Sequence, residues 1–181
     1  MTEQAAPATA AAQAAVDAYH RVVEPVDPVA VVVTCAGNGR RAGCLVTFNG
    51  PCSIEPPRYA VWLSHRNHTY RVALTAGELV VHMLTQDDLP LAELFGGVSG
   101  MSRDKFAHVP WRDLAGTPLL RVSGGWFRGR ILSRGPGRDE TGMDHTCFVL
   151  APLEAGDRSG TGGPLRMSDV RHIKPGQPAG G

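Results

Sequence analysis

The segment Ser64-His65-Arg66-Asn67-His68-Thr69 gathers hydroxyls, an arginine and two imidazoles just ahead of a stretch with helical character. Guanidinium and hydroxyl donors at a helix start suit a phosphate or a carboxylate. The competing reading is simple N-capping by Asn67, with Arg66 in solvent. A second segment, GCLVTFNGPCSIEPP at residues 43–57, leaves one strand and enters another through a loop that carries Thr47, Asn49, Gly50 and Ser53. Such a loop offers hydroxyls and backbone N–H groups at a sheet rim, although an ordinary strand connection uses the same residues. The third candidate is His145, because the polar pair Asp144-His145 opens an otherwise apolar strand at the end of a long loop.

Other reactive residue types read as structural. His20, His108 and His172 take the ordinary role of a partly exposed or hydrogen-bonded histidine, and His82 lies within a strand with no role assigned. Cys147 shares a strand face with His145, but two ligands do not make a metal site, and a buried thiol is the commoner state. Cys35, Cys44, Cys52 and Cys147 have no close pairing of the zinc or disulfide-scaffold type. Trp62, Trp111 and Trp126 are expected in the core, as are Phe95 and Phe106. Arg128 and Arg130 are expected on the wet face of a strand.

The elements that must hold these residues belong to one domain, since 181 residues is within the usual size of one hydrophobic core. A formal charge of +1 and an aromatic content of 6% argue against a nucleic-acid groove and against an anionic membrane surface. The longest aliphatic run, Val29 to Val33, is far too short to span a bilayer, and no basic, leucine-rich leader is apparent, which favours the cytoplasm. Residues 1–9 and 155–181, rich in Ala, Gly, Pro, Ser and Thr, read as disordered tails around a domain at 10–154.

Within that domain, Val16, Tyr19, Val22 and Val23 fall at helical spacing, ahead of Pro25 and Pro28. PVAVVVT, the turn residues Ala36 to Gly39 and GCLVT predict a β-hairpin. Strands follow at Arg58 to Ser64 and Leu79 to Leu84, with a helix at 69–76 closed by Gly77. A short helix at Asp88 to Gly96 begins with an acidic cap, and later strands are predicted at Leu119 to Val122, Gly125 to Ser133 and His145 to Leu150, the last two joined by the loop Arg134 to Met143. Six or seven strands without strand–helix alternation make the chain mainly β, an antiparallel barrel with short helical insertions. The glycines near Gly37 lack the following helix that a dinucleotide-binding fingerprint requires.

The ordered series PVAVVVT, GCLVTFNGPCSIEPP, WLSHRNHTYRVA, ELVVHML, LAELFGG, KFA and DHTCFVLAP resembles the flavin reductase-like family with an FMN-binding split barrel, over roughly Pro28 to Pro152. The resemblance implies a homodimer of six-stranded antiparallel Greek-key barrels that binds FMN or FAD near the subunit interface. It implies hydride transfer from NADH or NADPH to the flavin, and supply of reduced flavin to a separate monooxygenase. It assigns Thr47, Phe48, Asn49, Cys52 and Ser53 to the ring and ribityl chain, and Ser64, Arg66, Asn67, His68 and Thr69 to the phosphate. His145 would border the nicotinamide, with proton donation as a further role.

One stretch departs from the family pattern. Phe48-Asn49-Gly50-Pro51 stands where many members carry consecutive small hydroxyl residues, which removes side-chain donors, and Pro51 has no N–H. The alternative implied by that departure is a split-barrel flavin- or haem-binding protein without nicotinamide-dependent reductase activity.

Overall fold

The computed structural model describes residues 10–135 and 142–176. The expected N-terminal tail and the middle of the expected 134–143 loop lie outside the described residues. The elements are helix α1 (Ala10–Val23), strands β1 (Val31–Gly37), β2 (Arg40–Val46), β3 (Asn49–Ser53) and β4 (Arg58–Ser64), helix α2 (His68–Ala73), strand β5 (Glu78–Met83), helix α3 (Leu89–Gly97), strands β6 (Trp111–Leu114), β7 (Thr117–Leu120), β8 (Trp126–Gly135) and β9 (His145–Gly156), and a one-turn helix α4 (Met167–Val170).

Seven strands form one curled antiparallel sheet in the order β2-β1-β5-β8-β9-β4-β3, and β6 and β7 make a separate hairpin. The count is seven where six were expected, and the reason is local. The chain breaks direction at Thr47-Phe48, so β2 pairs with β1 up to Val46 while β3 pairs with β4 from Asn49 onward. β3, expected as loop, is an edge strand, so the missing N–H of Pro51 costs no bond on its open side.

The β1–β2 turn is built by Asn38 and Gly39, both at positive φ (49° and 71°), the pairing whose twist suits a two-residue hairpin. β1 is buried on both faces, which is why its sequence runs apolar without alternation. Val31, Val33 and Cys35 point into the barrel with Leu63, Leu79, Phe148 and Leu150. Val32 points outward beneath Phe95, Leu120 and Leu165. Helix α3 crosses β2 at Gly43, where a Cβ would fall 2.7 Å from the Phe95 ring. Its entry is set by Thr85 as cap, with Asp88 accepting from the Thr85 N–H and hydroxyl; Asp88 therefore closes a capping box one turn earlier than its expected cap role.

Three expectations change. The stretch after 155, expected to be tail, is ordered through residue 176. β9 continues to Gly156, Leu165 is fully buried, its N–H donates to the Leu84 carbonyl, and its own carbonyl accepts from Ala30 N–H. Composition hid this because two side chains, Leu165 and Val170, carry the anchoring. The strand expected at 119–122 is β7, already paired with β6 and laid over β1 and β5. Trp111 and Trp126 are only partly covered.

His82 joins the layers. It is fully buried, Nδ1 donates to the Val32 carbonyl at 3.0 Å, and Nε2 accepts from Leu120 N–H at 3.0 Å, so the neutral ring ties β5 to β1 and β7. Burial pulls its pKa down to about 4, against smaller opposing effects of the Val32 bond and Asp88. The unfolded chain takes up a proton near 6.5 while folded His82 resists until about 4, so stability is lost as pH falls through that window. The total is about 3 kcal/mol. We expect thermal melts between pH 7 and pH 4 to show that loss, and His82→Asn, destabilised by about 1–3 kcal/mol, to flatten the pH slope.

Candidate functional site

The break at Thr47-Phe48 is held by one side chain. Asn49 Nδ2 donates to the Val29 carbonyl at 3.0 Å and the Val46 carbonyl at 3.3 Å, and its Oδ1 accepts from Tyr59 Oη at 2.5 Å. Trp62 N–H donates to the Phe48 carbonyl at 2.9 Å, which carries the strand across onto β4. With its backbone fixed from both sides, the corner holds Thr47 and Phe48 at the rim.

Three clefts meet at Thr47. A cleft of about 410 Å³ runs past Arg66, Asn67 and His68 and is walled by the end of α3 and by the segment from Met167 to Gly176. A larger cleft of about 970 Å³ lies between α1 and the outer face of β4 and β9, with Tyr19, Phe48, Trp62 and His145 among its walls. A pit of about 210 Å³ sits between the ends of β2 and β4, reaching Ser64, Asn67 and His145. Met167 and Arg171 line both larger clefts.

The first cleft is polar and cationic. Arg66 is exposed, and among the described residues no carboxylate pairs with it. Asn67 sits at the start of α2 with extended backbone and makes no side-chain capping bond, so the N-capping reading does not hold. Ser64 Oγ accepts weakly from Arg66 N–H at 3.4 Å. Burial, then the nearby Arg40, Arg71 and Lys105 charges, depress the pKa of His68, which favours the neutral ring.

The second cleft is apolar with one polar edge. The His145 ring lies 5.2 Å from the Phe48 ring, and its Nδ1 is 2.7 Å from the Asp144 carboxylate. The bond to His145 holds the exposed Asp144 carboxyl below the usual range. Since a carboxylate only accepts, Nδ1 carries the proton and Nε2 is left for the cleft. His65 secures this edge: its N–H donates to the Asp144 carbonyl at 2.9 Å, and its Nε2 lies 2.8 Å from Thr146 Oγ1.

The fold thus brings together Thr47, Phe48, Ser64, Arg66, Asn67, His68 and His145. Asn49 borders the larger cleft, but its amide is spent on the corner. Cys52 and Ser53 lie at the far end of β3, outside all three clefts, with Ser53 Oγ donating to the Pro56 carbonyl at 2.8 Å. Thr69 is buried, its hydroxyl beside the Cys44 thiol. Three wall residues were not anticipated. Trp62 alternates outward from Val61 and Leu63, which strand periodicity could have indicated. Arg171 and Met167 sit in the supposed tail and gave no local signal.

The curled antiparallel sheet thus bends at one strand and carries, at that bend, a cationic cleft beside an aromatic one. The flavin reductase like domain model matches residues 26–173, and the chain belongs to that family. Its fold is similar to a flavin reductase domain protein from Arthrobacter sp. FB24, with a TM-score of 0.72 at 20% identity over 84% of this chain and 91% of that one. It is also similar to the NADH:FAD oxidoreductase SgcE6 of Streptomyces globisporus, with a TM-score of 0.69 at 18% identity over 92% and 91%. In sequence it is 29% identical to FMN reductase (NADH) RutF 1 of Methylorubrum extorquens strain PA1, over 95% of this chain and 81% of that protein. It is 32% identical to the reductase component of an FADH(2)-dependent resorcinol hydroxylase from Rhizobium sp. strain MTP-10005; that alignment spans 46% of this chain and 47% of the relative.

Because Asn49 holds the corner by three hydrogen bonds, Asn49→Ala should cost about 1–3 kcal/mol in urea unfolding. Thr47→Val, at the rim with no such bonds, should leave the unfolding midpoint nearly unchanged.

Proposed function

We propose that this protein is an NAD(P)H-dependent flavin reductase that passes hydride from a nicotinamide to FMN or FAD and supplies the reduced flavin to a partner monooxygenase. The observation that carries the reading is the meeting, at Thr47, of a cationic cleft sized for a phosphate-bearing chain and an aromatic-walled cleft sized for planar rings, in a chain of the flavin reductase like family. The relatives named as an NADH-dependent FMN reductase and as a hydroxylase reductase component support it.

The donor set fits the group. Arg66 would hold the phosphate, since it brings an unneutralised guanidinium to the cleft, and Ser64 and Asn67 add polar groups beside it. Thr47 stands between the two clefts, where a ribityl hydroxyl would need a partner. Phe48 and Trp62 wall the larger cleft and exclude water from a ring laid there. A bound flavin supplies the two-electron acceptor for hydride, and the protein's part is to position and shield it. His145 borders the place for the nicotinamide; its Nε2 can hold a proton there while Asp144 fixes the ring through Nδ1.

A homodimer is part of the reading. All of α1 is exposed, and Val16, Tyr19, Val22 and Val23 present apolar surface beside the larger cleft, so a second subunit would cover both. Among the described residues no helix is long and apolar enough to cross a membrane. A cytoplasmic setting, where reduced nicotinamides are available, goes with the proposed reaction.

Mixing the protein anaerobically with NADH or NADPH and FMN or FAD should bleach the flavin absorbance. Flavin or haem uptake without bleaching by either nicotinamide would instead favour a non-reductase binder. His145→Ala should raise KM for the nicotinamide roughly five- to ten-fold, the loss of about 1 kcal/mol of ring contact, with a smaller change in flavin affinity. Arg66→Ser should weaken FMN about ten-fold or more while leaving riboflavin binding unchanged, because one charge-assisted contact to phosphate is lost.

A further inference from the structure

A fourth cleft, of about 450 Å³, lies on the other side of His68 from the Arg66 cleft. It is framed by Asn38 at the β1–β2 turn, by Arg40, and by Arg71 and Thr75 around α2. His68 lines both clefts and forms the ridge between them, with Gly100 against its ring, where a Cβ would come within 3.1 Å. Each cleft exceeds the roughly 300 Å³ at which small-ligand pockets begin.

The clefts on the two sides of His68 both carry arginine. Arg41 pairs with Asp104, Arg128 with Glu78 and Glu154, and Arg171, on the wall of the Arg66 cleft, with Glu24. Among the described residues no carboxylate pairs with Arg40, Arg66 or Arg71, and the only side-chain bond of Arg71 is to the Met101 sulfur at 3.5 Å. His68, between them, feels Arg40, Arg71 and Lys105 with no acidic group opposing. Three arginines without a carboxylate partner therefore stand along this rim, on both sides of His68. Concentrated positive charge of this kind draws a polyanion.

The order along that rim is the aromatic cleft, Thr47, the Arg66 cleft, the His68 ridge, and then the Arg40/Arg71 cleft. The geometry points to a site for a dinucleotide: Arg66 takes the phosphate of the flavin mononucleotide half, and Arg40 and Arg71 take the second phosphate and adenylate end of FAD. This deepens the flavin reading of the same site and rests on it. The second phosphate is assigned to the flavin because the far cleft continues from the Arg66 cleft, away from the aromatic cleft where the nicotinamide would lie.

The test is titration of the full chain with FAD, FMN and riboflavin by calorimetry, for wild type, for Arg40→Ser/Arg71→Ser, and for Arg112→Ser/Arg130→Ser as a control of equal charge loss on exposed positions elsewhere. FAD should bind at least about ten-fold more tightly than FMN, the worth of one charge-assisted contact. The Arg40/Arg71 variant should lose that preference with FMN affinity unchanged, and the control should keep it. Equal affinity of wild type for FAD and FMN overturns the inference and leaves the flavin reading standing, as does a variant that weakens both flavins alike. A variant that keeps the FAD preference but raises KM for NADH or NADPH gives the second phosphate to the nicotinamide nucleotide and overturns the assignment. Failure to bind any flavin overturns the inference together with the reading beneath it.

Discussion

The molecule depends on a corner in one strand. A sheet that curls toward closure must let a strand leave one neighbour and join another, and the backbone groups freed at that step need partners. Asn49 supplies them by binding the Val29 and Val46 carbonyls on one side and the Tyr59 hydroxyl on the other. The corner therefore costs little, and the two residues it displaces, Thr47 and Phe48, become the point where the clefts join. A small hydroxyl residue in place of Asn49 could not reach all three groups, so the amide at this position serves the backbone.

Around the corner the fold is built in two apolar layers that share β1. Its inner face fills the barrel, and its outer face is covered by α3, by the β6–β7 hairpin and by Leu165 from the C-terminal segment. His82 is the polar connection between these layers, neutral and fully used. The C-terminal segment then continues over the surface and delivers Met167 and Arg171 to the rim. Closure of the core and completion of the site are thus the work of the same stretch of chain.

Chemistry is divided along that rim by environment. Phe48 and Trp62 wall the apolar cleft. Arg66 brings a guanidinium without a carboxylate partner to the neighbouring cleft, and His145 stands at the edge with its Nδ1 proton directed at Asp144. Burial removes Cys35, Cys44 and Thr69 from any such role; it pushes both thiols up in pKa and leaves them as protonated core side chains.

What the sequence determined by itself was local. The doubly buried run of β1, the Asn38-Gly39 turn, the strand Arg58–Ser64 with its alternating faces, and α3 with its early proline are set by side-chain size, periodicity and φ preference, which act over a few residues. The segments around Thr47, Arg66 and His145 could be marked from residue types. Tertiary structure decided which of their members share a cleft. Thr69 faces inward because α2 plugs the barrel, and Cys52 and Ser53 fall away along an edge strand. Arg40 and Arg171, remote in sequence, reach the rim because a hairpin and a docked C-terminal segment carry them there. Such juxtapositions depend on contacts between distant parts of the chain, and no local pattern of residue types encodes them.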